Sequence, residues 1–236
     1  MRIALLSDAH GNPFGVNRCL RAAQALSVDT IYFLGDAVGY LPGECQVIRL
    51  LAEAGVPCQI GNHEAMILGR LREPRANESL YLHGPAGMRL GEQGLDVFRT
   101  WPDGREFDLD GHRVLLIHGC PSDPLEGYCY PDTDICAFEQ LPYDVVVMGH
   151  THRPFIRQAG RVLAVNVGSC GLPRDQGDAP SFAIYDSKTN HATIYRVRIE
   201  PEEILHAFRD CAIHDDVRRC LYRTSTALVG EYVGGI

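Results

Sequence analysis

The stretch Ile3-Ala4-Leu5-Leu6-Ser7-Asp8-Ala9-His10 sets a pattern that the chain repeats: a short apolar run that ends in Asp and His. Four consecutive apolar residues predict a buried strand. The segments 31–34, 56–60 and 145–148 are also apolar, and each is followed by Gly and then by Asp, Asn or His. Apolar residues at helical spacing separate the first three runs, so the alternation predicts a layered α/β domain.

The rest of the chain contains fewer long apolar runs. Residues 63–101 are polar and helical in pattern, and residues 106–117 predict a hairpin that turns at Asp110-Gly111. A proline at position 201 opens a predicted helix. We expect one domain over residues 1–236, with a motif-bearing core over about 1–199 and a helix and tail over about 200–236. Three β-like segments precede that tail, at residues 162–167, 181–185 and 192–197.

Composition excludes several classes of protein. The 236 residues are 45% hydrophobic and 22% charged, which is enough to bury a large core. The net charge of −8 argues against general affinity for nucleic acid or anionic lipid. The apolar runs are too short for a membrane span or for the apolar region of a signal peptide, so we expect neither. Nine scattered cysteines without a C-x-x-C pair are typical of core thiols in a reducing compartment, so we predict a cytoplasmic protein.

Five loops that follow predicted strands carry side chains that can bind metals. Ligands of α/β sheets bind outside the carboxyl ends of the strands, so these loops are expected to converge at one edge. Each motif alone has an ordinary explanation, such as a helix cap for Gly-Asp or a packed histidine for Asp-x-His. Their joint occurrence favours a shared site, and we expect the five histidines elsewhere to be surface or packing residues. The loops contain Asp8 and His10, Gly35-Asp36, Gly61-Asn62-His63-Glu64, His118-Gly119, and Gly149-His150 with His152.

This set of motifs resembles that of the calcineurin-like metallophosphoesterase family, and within it the small bacterial and archaeal phosphodiesterases. The resemblance covers residues 1 to about 199, and it includes Gly168-Ser169 and Pro173-Arg174-Asp175 as a C-terminal signature. It implies a four-layer α-β-β-α sandwich, in which two mixed β-sheets pack face to face between helices. It also implies a dinuclear metal centre at the loop edge.

The resemblance implies a role for each polar residue of the loops. Imidazole, carboxylate and amide oxygen suit Mn, Fe, Zn or Ni, and we expect Mn to serve in vitro. A hydroxide that bridges two cations would attack phosphorus, while Asn62 offsets charge on the phosphate oxygens. His63 would face the phosphate and protonate the leaving oxygen, and Glu64 would orient His63. The implied ligands are Asp8, His10 and His152 for the first cation, Asn62, His118 and His150 for the second, and Asp36 as the bridge.

Two positions depart from the family pattern. Gly39 stands where many relatives have a second Asp, and the protein phosphatases and symmetric dinucleotide hydrolases of the family use that longer form. The departure makes those activities less favoured. Glu64 replaces the commoner Asp after Asn-His, and its longer arm should still reach a histidine nitrogen.

Four further side chains are candidates for substrate contacts. Arg174 offers a bidentate fork to a substrate phosphate, or it is a surface arginine paired with Asp175. Tyr40 either lines the pocket or packs in the core. Tyr128 and Tyr130 either stack on a base or are ordinary loop aromatics.

The sequence therefore predicts a metal-dependent phosphoesterase that hydrolyses phosphodiester or phosphoanhydride bonds of a small phosphorylated substrate, of nucleotide type or a phosphopeptide. A phosphoprotein phosphatase with the same dinuclear site is the first alternative. A non-catalytic scaffold of the same fold is the second, but it should have lost ligands, whereas all seven and His63 are present. A nuclease acting on long DNA would need a basic groove. No membrane partner is expected.

Overall fold

The structure is a computed structural model that describes residues 1–234, and in that range ten strands form two mixed sheets. The strands are β1 (Arg2–Leu6), β2 (Thr30–Phe33), β3 (Gly104–Leu109), β4 (His112–Ile117), β5 (Val145–Met148), β6 (Phe155–Ala159), β7 (Val162–Asn166), β8 (Ser181–Asp186), β9 (His191–Arg196) and β10 (Glu231–Tyr232). The first sheet has the order β10-β9-β8-β1-β2 and the second β3-β4-β5-β7-β6. Leu5 of β1 and Val147 of β5 belong to one apolar layer between the sheets. The predicted pair of mixed sheets packed face to face is confirmed.

Helices cover the outer face of the first sheet. The α-helices of the described range are α1 (Pro13–Ala25), α2 (Glu44–Glu53), α3 (Asn62–Ile67), α4 (Glu78–Tyr81), α5 (His83–Thr100), α6 (Pro201–Ala207) and α7 (Asp215–Leu221). Helix α1 begins where Asn12 accepts hydrogen bonds from two backbone N–H groups of the first turn. Its apolar face packs on Ala4 and Leu6 of β1. A segment with the 3₁₀ helix Cys136–Gln140 covers the second sheet.

Local sequence explains where the strands differ from the predicted ones. The hairpin of β3 and β4 turns at Asp110-Gly111 as predicted, and both residues have positive φ. The predicted strand over residues 56–60 is wrong, because only Cys58 forms a bridge, to Phe33. The neighbouring Pro57 lacks an N–H group and cannot extend a ladder. Strands β6 and β10 were not predicted, and residues 235 and 236 of the predicted tail lie outside the described part.

The cysteines and the C-terminal helices complete the fold. All nine cysteines are free thiols, and six of them are buried. Helix α6 begins at Pro201 as predicted, and α7 packs with it against Tyr40 and Leu172. Within residues 1–234, no helix combines the length and apolar character that a bilayer crossing requires.

Candidate metal centre

The loops that follow the strands turn through strained backbone. Ten non-glycine residues of the described part have positive φ, a region that L-amino acids rarely adopt. Six of these ten lie at the predicted site, and strain of this kind clusters at functional sites. The six lie in the loops that follow β1, β2 and β5, where these turns keep their side chains at the sheet edge. The six residues are Asp8, His10, Asp36, Tyr40, His150 and His152.

A first cluster contains Asp8, His10 and His152, all of them buried. Oδ1 of Asp8 lies 3.2 Å from Nε2 of His152 and 3.6 Å from Nε2 of His10. The two Nε2 atoms are 2.9 Å apart. Three donor atoms from two loops, those after β1 and β5, therefore face one small volume.

A second cluster contains Asp36, His118 and His150. Nε2 of His118 lies 3.2 Å from Oδ2 of Asp36 and 3.0 Å from Oδ1 of Asn62. The same Asp36 oxygen is 3.7 Å from Nε2 of His10 in the first cluster. Asp36 thus lies between the clusters, and the structure brings together all seven residues that the sequence groups at this edge.

Backbone carbonyl groups determine which imidazole nitrogen faces the centre. A carbonyl oxygen only accepts, so the Nδ1 atom bonded to it carries the proton. Nδ1 of His10 donates to the Val38 carbonyl (3.0 Å), Nδ1 of His118 to the Leu34 carbonyl (3.0 Å) and Nδ1 of His152 to the Leu172 carbonyl (2.6 Å). In the neutral rings, Nε2 then points into the centre with a free lone pair, as in metal-binding histidines.

Burial and charge shift the pKa values of these groups. Burial lowers the pKa of His150 to about 4 and that of His152 to about 3, so both rings are neutral at pH 7. Burial also disfavours charge on His118, but the Asp36 carboxylate outweighs it and raises the pKa of His118 to about 9. Burial opposes ionisation of Asp36 as well, yet His118 and His63 hold its pKa well below the usual range.

The donor set fits divalent cations. Oδ1 of Asp8 and Nε2 of His150 are buried without a hydrogen-bond partner in the described part of the chain. Unpartnered buried polar atoms are costly, and a cation would satisfy both. Imidazole and oxygen donors suit first-row divalent metals, and no thiolate takes part in the clusters found among residues 1–234.

The Glu64 carboxylate binds the backbone of the Asp36 loop and does not bind the His63 ring, so the prediction that Glu64 orients His63 is wrong. Oε2 accepts from the N–H groups of Asp36 and Gly61, both at 2.8 Å, and Oε1 accepts from that of Ala37 at 2.7 Å. The carboxylate is fully buried. Each oxygen therefore serves the backbone beside the centre, and the longer arm of Glu reaches back to the loop rather than to an imidazole.

The partner of His63 is His83, which the sequence analysis assigned to surface or packing. Nδ1 of His63 lies 2.8 Å from Nε2 of His83, and Nδ1 of His83 lies 3.0 Å from Oε1 of Glu73. Nε2 of His63 is 3.9 Å from Oδ2 of Asp36. His83 is the first residue of α5, in a polar helical stretch where no motif or spacing identifies it as a site residue.

The secondary candidates divide between the site and the core. Arg174 does not pair with Asp175, whose carboxylate instead binds the buried Arg196. Nη2 of Arg174 donates to the Tyr40 hydroxyl at 3.0 Å. Tyr40 is buried and also lies edge-on to the His10 ring, with centroids 4.6 Å apart, so packing and pocket lining apply together.

Two tyrosines lie exposed beside the second cluster. Tyr128 has its ring centroid 4.3 Å from that of His150 and 5.7 Å from that of Tyr130. Both phenol rings are accessible. Packing in the core therefore does not account for either residue, and a flat ring can approach them from solvent.

The chain belongs to the calcineurin-like phosphoesterase superfamily, whose domain matches residues 1–190. A metallophosphoesterase of Sphaerobacter thermophilus has a similar structure, with a TM-score of 0.77 and 26% identity over 94% of this chain and 98% of that one. The protein MJ0912 of Methanocaldococcus jannaschii is 28% identical over 84% of this chain and 88% of its own length. The Escherichia coli phosphodiesterase YfcE is 23% identical over 79% of this chain and 88% of its own.

Proposed function

We propose that this protein hydrolyses phosphodiester or phosphoanhydride bonds of small phosphorylated substrates at a centre of two divalent cations. One observation carries the proposal: two buried clusters of Nε2 and carboxylate donors meet at the Asp36 carboxylate. Oδ2 of Asp36 lies 3.7 Å from Nε2 of His10 in one cluster and 3.2 Å from Nε2 of His118 in the other. The similarity to a phosphodiesterase supports the reaction class.

The proposed ligands divide as the donor atoms do. Asp8, His10 and His152 would hold one cation, Asn62, His118 and His150 would hold the other, and Asp36 would serve both. Bound divalent cations supply activated water and positive charge for the phosphate oxygens. Manganese is the proposed metal for assays, since the donor set accepts several divalent ions. The chain itself contributes the rigid turns and the backbone carbonyls that aim each Nε2 atom.

His63 is the proposed proton donor to the leaving oxygen. The Glu73 carboxylate, 3.0 Å from Nδ1 of His83, favours a proton on that nitrogen by its charge, and Nε2 of His83 is then an acceptor for Nδ1–H of His63. A doubly protonated His63 would give its Nε2 proton to the leaving oxygen as the P–O bond breaks and would keep its Nδ1 proton. The contact with His83 thus selects the neutral Nδ1–H tautomer in which His63 is left after the transfer.

A small substrate is favoured over a phosphoprotein by what surrounds His63. The ring of Tyr81 lies 4.6 Å from that of His63 between centroids, and His83 lies at 4.8 Å. His63 is only 3% exposed. The segment containing α3 to α5 therefore covers this side of the centre, which disfavours a bulky folded partner. A scaffold without catalysis is disfavoured because every proposed ligand is present.

The experiment measures metal content and turnover together. Chelated protein should lose hydrolysis of bis(4-nitrophenyl) phosphate, and Mn²⁺ should restore it. Asp36→Asn should bind fewer than two metal ions per chain by elemental analysis, whereas the exposed Asp210→Asn should match the unaltered protein. Full turnover after exhaustive chelation and dialysis would contradict the metal role.

A further inference from the structure

We propose that a cavity lined by Tyr40 and Arg174 binds a leaving group that carries its own phosphate, so that the preferred substrates are phosphoanhydrides of nucleotide type. This inference rests on the proposed function and specifies its substrate class. The cavity has a volume of about 280 Å³ and lies between the Tyr40 loop and α7. Arg174, Arg219, Arg223 and Asp216 supply its charged lining.

The side chains that line this cavity have a net positive charge, whereas the whole chain has a net negative charge. Three arginines and one aspartate line it, whereas the whole chain has a net charge of −8. Arg219 is ion-paired with Asp216, which leaves Arg174 and Arg223 as the cations in excess. Such a local reversal attracts anions to one place on an otherwise acidic protein.

Arg174 is the cation that most needs an anionic partner. Its guanidinium donates to the Tyr40 hydroxyl, and within residues 1–234 it forms no ion pair with a carboxylate. A half-buried charge without a counter-charge is unfavourable, and arginine presents a planar fork that matches phosphate oxygens. Arg223 reinforces the position, because its Nη1 donates to the Arg174 carbonyl at 3.0 Å.

The cavity and the centre share the Tyr40 side chain. Tyr40 lines the cavity, and its ring is 5.2 Å from that of His63 between centroids. Leu80, next to the Tyr81 that covers His63, also lines the cavity. In this proposal, the leaving group whose oxygen His63 protonates extends past Tyr40 toward Arg174. A second phosphate on that group would lie among the arginines.

The test compares two substrates that share a nucleotidyl group and differ in the leaving group. The 4-nitrophenyl ester of adenosine 5′-monophosphate releases a phenol, whereas diadenosine triphosphate releases ADP. For Arg219→Ala and Arg223→Ala, we expect the ratio of kcat/KM for diadenosine triphosphate to that for the aryl ester to fall roughly fivefold to tenfold. The exposed Arg209→Ala, outside the cavity, is the matched control.

The possible outcomes distinguish failure of the proposed function from failure of the cavity assignment. If the Mn²⁺-loaded protein hydrolyses neither substrate, the proposed function fails. If it hydrolyses the aryl ester and both arginine variants keep the ratio within twofold, the cavity assignment fails and the function stands. Arg219→Ala keeps the test valid should Arg223→Ala fold poorly, because the exposed Asp216 is the one partner that the Arg219 side chain has among residues 1–234. Turnover of a phosphoserine peptide that the same variants abolish would overturn the nucleotide assignment.

Discussion

Nδ1 of His63 and Nε2 of His83 lie 2.8 Å apart, in a space that Gly39 leaves open. A Cβ atom built on Gly39 would lie 2.4 Å from Nδ1 of His63. Any side chain at this position would therefore displace the ring or break the contact. The glycine that departs from the commoner second Asp of the family is thus the residue that allows the His63–His83 pair.

We expect His83→Ala to reduce kcat by roughly 10- to 100-fold for substrates with poor leaving groups, because His63 loses the acceptor that fixes its tautomer. The loss should be smaller for 4-nitrophenyl esters, which need little protonation. His83→Gln should restore part of the rate, since its amide oxygen can accept from Nδ1–H. Metal content should stay unchanged, and the exposed His191→Ala on β9 should show no effect. An equal loss for both leaving groups would refute a role in proton transfer.

Gly39→Ala should lower turnover about as much as His83→Ala, because the added methyl group displaces the His63 ring. Gly39 also has a φ of +92°, which is unfavourable for alanine by itself. Gly55→Ala separates the two effects, since Gly55 has a φ of +62° and no further atom of the described residues lies within 4 Å of an added Cβ. Steady-state kinetics with melting temperatures should show a kinetic defect in Gly39→Ala only. Comparable kinetics in the two variants would disprove the steric explanation.

The sequence predicts well which loops meet at the sheet edge, because the motif that identifies each loop consists of consecutive residues. A strand end followed by Asp, Asn or His marks each loop, and the sheet brings those ends together. Glu64 and His83 show where such reasoning stops. Glu64 is adjacent to His63 in sequence, but the helical start of α3 turns its carboxylate back to the Asp36 loop. His83 reaches His63 only through the path of the chain between α3 and α5, which no residue pattern encodes.

We expect Glu64→Gln to destabilise the protein by about 1–3 kcal/mol and to weaken metal binding. The amide nitrogen would place a donor against backbone N–H donors that now share the carboxylate, among them those of Asp36 and Ala37. Mutation of a residue that hydrogen-bonds a metal ligand typically lowers metal affinity by roughly 10- to 100-fold. Urea denaturation and Mn²⁺ titration measure the two effects, with the exposed Glu53→Gln as control. Unchanged Mn²⁺ affinity would show that the loop does not depend on this carboxylate.

Arg196→Ala should cost about 3–5 kcal/mol of unfolding free energy without a specific effect on the centre. Arg196 is fully buried and binds Asp175, and its Nη1 and Nε atoms also donate to the carbonyls of Ala179 (2.8 Å) and Val229 (2.9 Å). Its removal leaves the Asp175 carboxylate without a counter-charge. The exposed pair of Arg49 and Glu53 provides the comparison, and Arg49→Ala should cost at most about 1 kcal/mol. Similar losses in both variants would contradict the role of burial.

The stability of the chelated protein should depend on pH through His83. Burial lowers the pKa of His83 to about 4, whereas an unfolded histidine titrates near about 6.5. Between these values the unfolded chain binds more protons, so this contribution to stability is complete above about pH 6.5 and is lost as the pH falls toward 4. Urea denaturation at several pH values should therefore give a shallower fall in His83→Gln than in the unaltered protein. The slope is informative because a change in packing alone shifts stability equally at every pH. The exposed His191→Gln should keep the original slope, and an identical slope in His83→Gln would mean that His83 does not titrate between these limits.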